Sequence, residues 1–245
     1  QIVHQIYHKY YLCFAILSLV NLEKLNISKN SKVLFIYPHP DDETYFNAGL
    51  IQNLVKENIT TRILCLTKGE ASSLKYGIKH NNLGEIRKKE FESVMKFLKV
   101  SEHKILDFED GNLGNENSLS EILEKEINLF EPDVVITFEP SGVYGHRDHI
   151  VVSQVVTDLK KLRKFNLIYS TVPFNYHTSQ KNSLNFKIDS KPLEPDMILK
   201  LSPNEVVNKL ICLIKYKSQV NNERLIQIIL KPYLYKECYC IYPNL

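Results

Sequence analysis

The sequence predicts an α/β protein, a mostly parallel sheet with helices on both faces. Three observations carry that expectation. Apolar runs of strand length alternate with segments of helical period from residue 33 onward. The first run, VLFIY at 33–37, is unbroken. The polar residues able to do chemistry gather in the segments that follow the runs, and in an open α/β sheet the ligand binds outside those carboxyl ends.

The elements follow in order. After VLFIY comes a stretch whose Ala48, Ile51, Leu54 and Val55 share one helical face, then the strand TRILCLT at 61–67. In GEIRKKEFESVMKFLKV, Phe91, Val94, Met95 and Leu98 fall together. KILDF, a helix through Leu119, Ile122, Leu123 and Ile127, and DVVITF continue the alternation. HIVVSQVVTDLKKL and LIYSTV add a further helix and strand. Such an order implies parallel strands joined by right-handed crossovers, a Rossmann-like sheet. Residues 173–200 show no sustained period and read as loop with at most short strands. SPNE at 202–205 opens the last helix, with Ser202 as N-cap, Pro203 in the first turn and Glu205 as capping-box partner.

A length of 245 residues suits one catalytic domain over 31–245, preceded by an N-terminal segment, 1–30. The net charge is +3 with acids and bases interleaved, which leaves no electrostatic footprint for nucleic acid or an anionic membrane. A small-molecule partner fits better. Five cysteines, irregularly spaced, make a poor disulfide framework and point to a reducing, cytoplasmic setting. Cys238 and Cys240 read as alternation in a terminal strand. The apolar stretch YYLCFAILSLV at 10–20 falls short of the ~18 residues of a spanning helix. It reads as a packed helix, with a trimmed membrane anchor as the alternative.

The loops after the strands read PHPDDE, KGEASS, EDG and EPSGVYGHRDH. The first has no G-x-G-x-x-G, and no P-loop motif occurs, so a dinucleotide or nucleotide site is excluded. His39, Asp41, Asp42 and Glu43 crowd into five residues. Turn chemistry asks for no imidazole among carboxylates, whereas a divalent metal holds such a group together. His146 and His149 lie three apart at a helix start and can face one side. Two imidazoles and a carboxylate suit catalytic zinc, with ferrous iron as the competitor, while magnesium prefers oxygen throughout.

PHPDDET, GEIRKKEF and GVYGHRDHIVVS resemble, in that order, the signatures of the PIG-L/LmbE-like zinc-dependent de-N-acetylases, which act on N-acetylglucosamine-type sugars. SQ at 218–219 and the terminal ECY are similar to further family features. The resemblance covers residues 33–155 and implies a metal-dependent N-deacetylase. It implies His39, Asp42 and His149 as metal ligands and Asp41 as general base. It makes His146 the catalytic histidine beside the metal, with Asp148 bonding one of its ring nitrogens and keeping it protonated near neutral pH. Tyr144 falls where a tyrosine polarises the substrate carbonyl, and Arg87 and Asp110 fall where sugar hydroxyls are contacted. Glu43 is expected to tie the loop to backbone amides.

Read alone, Arg87 is a solvated charge in a helical run, Asp110 a turn former and Tyr144 a packed aromatic. A ferrous oxygenase would carry the same ligands on a β-barrel, against this alternating pattern. A non-catalytic sugar-binding protein on the same fold would be expected to have lost a ligand or the base, and all are present.

Overall fold

A computed structural model describes residues 22–74, 76, 82–172 and 191–243. The apolar stretch at 10–20 and the loop at 173–190 lie outside them. Among the described residues no helix is long and apolar enough to cross a membrane.

The chain builds a seven-stranded sheet, β1 (Lys32–Tyr37), β2 (Thr60–Thr67), β3 (Glu102–Phe108), β4 (Val134–Phe138), β5 (Asn166–Thr171), β6 (Met197–Lys200) and β7 (Lys236–Ile241). Their order is β3-β2-β1-β4-β5-β7-β6. The first five are parallel, and β7 runs antiparallel to both β5 and β6. The mostly parallel α/β sheet is therefore as expected. The short strand β6 falls in the described end of the stretch read as loop.

Alternation along β1 divides the core. Val33, Phe35 and Tyr37 enter one cluster and Leu34 and Ile36 the other. The first face is covered by α1 (Asp42–Lys56) and α2 (Leu83–Leu98), which contribute Leu50, Ile51, Leu54, Phe91, Val94, Met95 and Leu98. The second is covered by α3 (Leu119–Phe130) and α4 (Arg147–Leu162), through Leu123, Ile127, Val152 and Val156. Helix α5 (Pro203–Lys215) adds Cys212 to the first face. Its start carries the expected capping box: Ser202 Oγ accepts the Glu205 N–H and Glu205 Oε2 accepts the Ser202 N–H. It is not the last helix, because α6 (Asn222–Ile229) follows. Among the described cysteines, Cys65, Cys212, Cys238 and Cys240 are all free thiols.

Strand β1 lies between β2 and β4, so the crossovers leave it in opposite directions. That reversal opens a crevice at the carboxyl ends of β1 and β4. PHPDDE and GHRDH start on its two walls.

Candidate metal centre

His39 follows the end of β1 and Asp42 opens α1. The His39 N–H donates to Asp42 Oδ2 at 3.0 Å, and His39 Nδ1 lies 3.3 Å from the same oxygen. From the other wall, His149 stands in the first turn of α4, its Nε2 3.4 Å from Asp42 Oδ1. The His149 ring stacks on Phe138 with centroids 4.0 Å apart and is fully buried. Neither of its ring nitrogens has a hydrogen-bond partner. A sealed imidazole with both nitrogens unsatisfied is costly unless another species completes it. The donor atoms of His39, His146 and His149 lie within 4.8 Å of one another. Two imidazoles converging on a carboxylate are a donor set that fits a divalent transition metal.

The far side of His39 explains two other acids. Its Nε2 lies 3.0 Å from Asp110 Oδ1 and 3.2 Å from Asp148 Oδ2. Asp110 Oδ2 also accepts the Ala71 N–H, and Asp148 Oδ2 the Gly111 N–H. A carboxylate on one imidazole nitrogen fixes the tautomer and turns the other nitrogen toward a metal. Burial opposes a charge on His39, but Asp110, Asp148 and Asp42 outweigh it and raise its pKa. Burial would likewise raise Asp42, yet His149 and His39 hold it well below the usual carboxylate range.

This corrects one expectation. The Asp148 carboxylate is engaged with His39 and Gly111, and what Asp148 offers His146 is its backbone N–H, 3.3 Å from His146 Nδ1. That bond makes Nδ1 an acceptor and leaves the ring proton on Nε2. Burial, and then His149 and His39, push the His146 pKa down to about 3 rather than up. Asp110, where the resemblance implied a sugar contact, has its two oxygens on His39 and on Ala71.

Asp41 caps α1 with a left-handed backbone, φ 95°. Its carboxyl stands apart from the imidazoles, 3.4 Å from Arg87 Nη2. Burial raises its pKa to about 6 against the pull of Arg87. Arg87 is buried rather than solvated: Nη1 donates to Gly69 O at 2.9 Å and Nη2 to Pro40 O. Tyr144 packs edge-on to His149, centroids 5.2 Å apart, and burial lifts its phenol pKa well above 10. Glu43 ties the loop as expected: Oε2 accepts the Asp41 N–H, and Oε1 accepts the Thr44 and Tyr216 hydroxyls. Burial raises its pKa to about 7.

Sequence reasoning missed Glu139 and Arg224. Glu139, fully buried at the end of β4, accepts the Ser141 and Val143 N–H groups and the Ser141 hydroxyl. It thereby holds the tight turn that delivers Tyr144 and His146. The only signal was its place in a strand-end loop, EPSG. Arg224, on α6, had no local signal at all. The SQ and R-x-x-E features meet in space, because Glu90 accepts both the Ser218 N–H and its hydroxyl.

Comparison with known proteins points to a family. A family model described as PIG-L, GlcNAc-PI de-N-acetylase, matches residues 34–160. Over 136 residues the chain is 30% identical to the probable N-acetyl-alpha-D-glucosaminyl L-malate deacetylase 2 of Bacillus anthracis, covering 53% of this chain and 60% of that protein. It is 27% identical over 170 residues to the 1D-myo-inositol 2-acetamido-2-deoxy-alpha-D-glucopyranoside deacetylase of Segniliparus rotundus, covering 56% of this chain and 53% of that one. The chain thus spans between half and two thirds of the length of these relatives. Among solved structures, the N,N'-diacetylchitobiose deacetylase of Pyrococcus horikoshii superposes with a TM-score of 0.70 over 98% of this chain and 92% of its own, at 21% identity. That likeness is one of fold. With the family model lying over more than half of its length and enclosing both imidazole-bearing loops, the chain belongs to the PIG-L, or GlcNAc-PI de-N-acetylase, family.

Proposed function

We propose that the chain removes the acetyl group from an N-acetylglucosamine-type amino sugar or its conjugate, using a divalent metal held by His39, Asp42 and His149. The observation that carries this reading is the sealed His149 ring, with both nitrogens unsatisfied, beside Asp42 and His39. The printed names of the related deacetylases support the substrate class. The donor set favours zinc, with ferrous iron as the competitor.

Zinc in such a site supplies an acidified water and a polarised acetyl carbonyl. Asp41 takes the proton of the attacking water. A carboxyl raised to about 6 is a stronger base than a free aspartate and is still ionised near neutral pH. Arg87 keeps that carboxylate aimed and charged. Neutral His146, its proton on Nε2, and the Tyr144 hydroxyl are the donors for negative charge developing on the carbonyl oxygen. Asp41 then returns its proton to the departing amine, and the products are acetate and a free amino sugar.

Acetate release from N-acetylglucosamine and its glycosides, measured as purified, after chelation and after zinc is restored, tests the proposal. Activity should vanish with chelator and return with metal. His149→Ala should lose most of the metal. Asp41→Asn should keep the metal while kcat falls by roughly 10² or more. No acetate from any N-acetylated sugar with zinc or ferrous iron supplied would overturn the reading.

A further inference from the structure

We propose that Arg224 and Tyr45 form an anion subsite beside the candidate metal centre, taking the carboxylate or phosphate of an acidic group joined to the sugar. It rests on the sugar-substrate reading above and names the class of conjugate.

Helix α6 packs in a small cluster that also meets the first turn of α1. Its Ile228 is buried with Leu213 and Leu234, and Tyr45 and Tyr233 pack against that cluster. The Tyr233 ring meets Tyr45 edge-on, centroids 5.6 Å apart. Tyr45 is itself hydrogen-bonded through its N–H to Asp41 O at 2.9 Å, so this contact borders the proposed base. Arg224 enters from the first turn of α6, where Asn221 Oδ1 accepts its backbone N–H at 2.8 Å.

At this contact the Arg224 and Tyr45 side chains face each other, yet Arg224 Nε and Tyr45 Oη are sealed without a well-formed hydrogen bond. Leaving such donors unsatisfied costs free energy. The fully buried cations have carboxylates: Arg62 has Glu126, Arg87 has Asp41 and Lys209 has Glu237, whereas Arg224 is half-buried with only its Nε sealed. Arg224 forms no ion pair with an acid among the described residues. Its charge nevertheless bears on Asp41 and Tyr144. Asp41 does not serve as its counter-ion, since Arg87 holds that carboxylate. A guanidinium offers only donors and a phenol hydroxyl can add another, and the guanidinium fork matches carboxylate or phosphate geometry. A neutral sugar hydroxyl would leave the cation uncompensated.

Equilibrium binding of glucose 1-phosphate, glucosylglycerate and methyl glucoside to the zinc-loaded chain tests the subsite, because none of the three carries an acetyl group to lose. At least one anionic sugar should bind more tightly than the neutral one by on the order of tenfold to a hundredfold. Whichever anion is preferred identifies phosphate or carboxylate as the source. In Arg224→Gln the ratio should collapse toward one, and Arg224→Lys should keep part of it. Tyr45→Phe retains the ring packing and should lower the ratio less. No preference in the unaltered chain, or an undiminished one in Arg224→Gln, overturns the subsite. Acetate release decides separately: a preserved anion preference without any deacetylation sinks the catalytic reading alone, and deacetylation without the preference sinks the subsite alone.

Discussion

At the scale of single residues, the acids around His39 divide by what each oxygen touches. Asp42 shares the imidazole side, Asp110 and Asp148 bear on the opposite nitrogen, and Asp41 faces Arg87. Asp148→Asn should therefore act through His39: metal affinity, read by competition with a chelator of known strength, should weaken about 10- to 100-fold. A shift of the alkaline limb of the pH–rate profile with metal affinity unchanged would show Asp148 acting on His146 instead. Arg87 favours the ionised form of Asp41, so Arg87→Gln should raise the pKa of that carboxyl. The acid limb of the pH–rate profile then moves to higher pH, because the base is lost sooner as pH falls. A limb that stays in place would separate Asp41 from the proton transfer. His39, Asp41, Asp42, His146 and His149 were legible in the sequence as clustered residue types. The partners of Asp110 and Asp148 were not, because they come from loops that meet only through the sheet.

At the scale of elements, the loop after β2 works as a bracket for Arg87. Gly69 adopts φ +68°, and a Cβ built there would fall 2.3 Å from Arg87 Nη1. Gly69→Ala should lower stability by about 1 to 3 kcal/mol through backbone strain, visible as a lower denaturant midpoint. It should also reduce kcat, since Arg87 must withdraw from Asp41. Unchanged values for both would mean that the loop relaxes without moving the arginine. A second bracket, the turn from Glu139 to His146, includes Val143 at φ 66°. A β-branched residue there is held by surrounding bonds rather than by preference. The strands and helices themselves were readable from period and caps. Helix α6 was not anticipated, and it is one that touches the first turn of α1 from far along the chain.

At the scale of the whole molecule, the C-terminal strand is tied to the helix that Asp42 opens. Glu237 on β7 accepts the Gly49 and Leu50 N–H groups of α1, the Tyr239 hydroxyl and the Lys209 ammonium, the last at 2.8 Å. Both members of the ion pair are fully sealed. Lys209→Ala leaves Glu237 as a buried charge without its cation and should cost about 3 to 5 kcal/mol in equilibrium unfolding. The double variant Lys209→Met, Glu237→Gln removes both charges and should lie closer to the unaltered chain. Equal destabilisation in the two would point to the Glu237 bonds to α1 as the larger contribution.

The sequence by itself determined the alternation of strands and helices and the two loops that bear imidazoles, because each rests on local period and residue type. Tertiary structure alone decided which face of His39 meets which acid, that Arg87 is buried against Asp41, and that Arg224 comes to face Tyr45 on α1. Those contacts join residues far apart along the chain, as between His39 and Asp148 or Asp42 and His149. No local pattern encodes them. The reversal of strand order beside β1 brings them together.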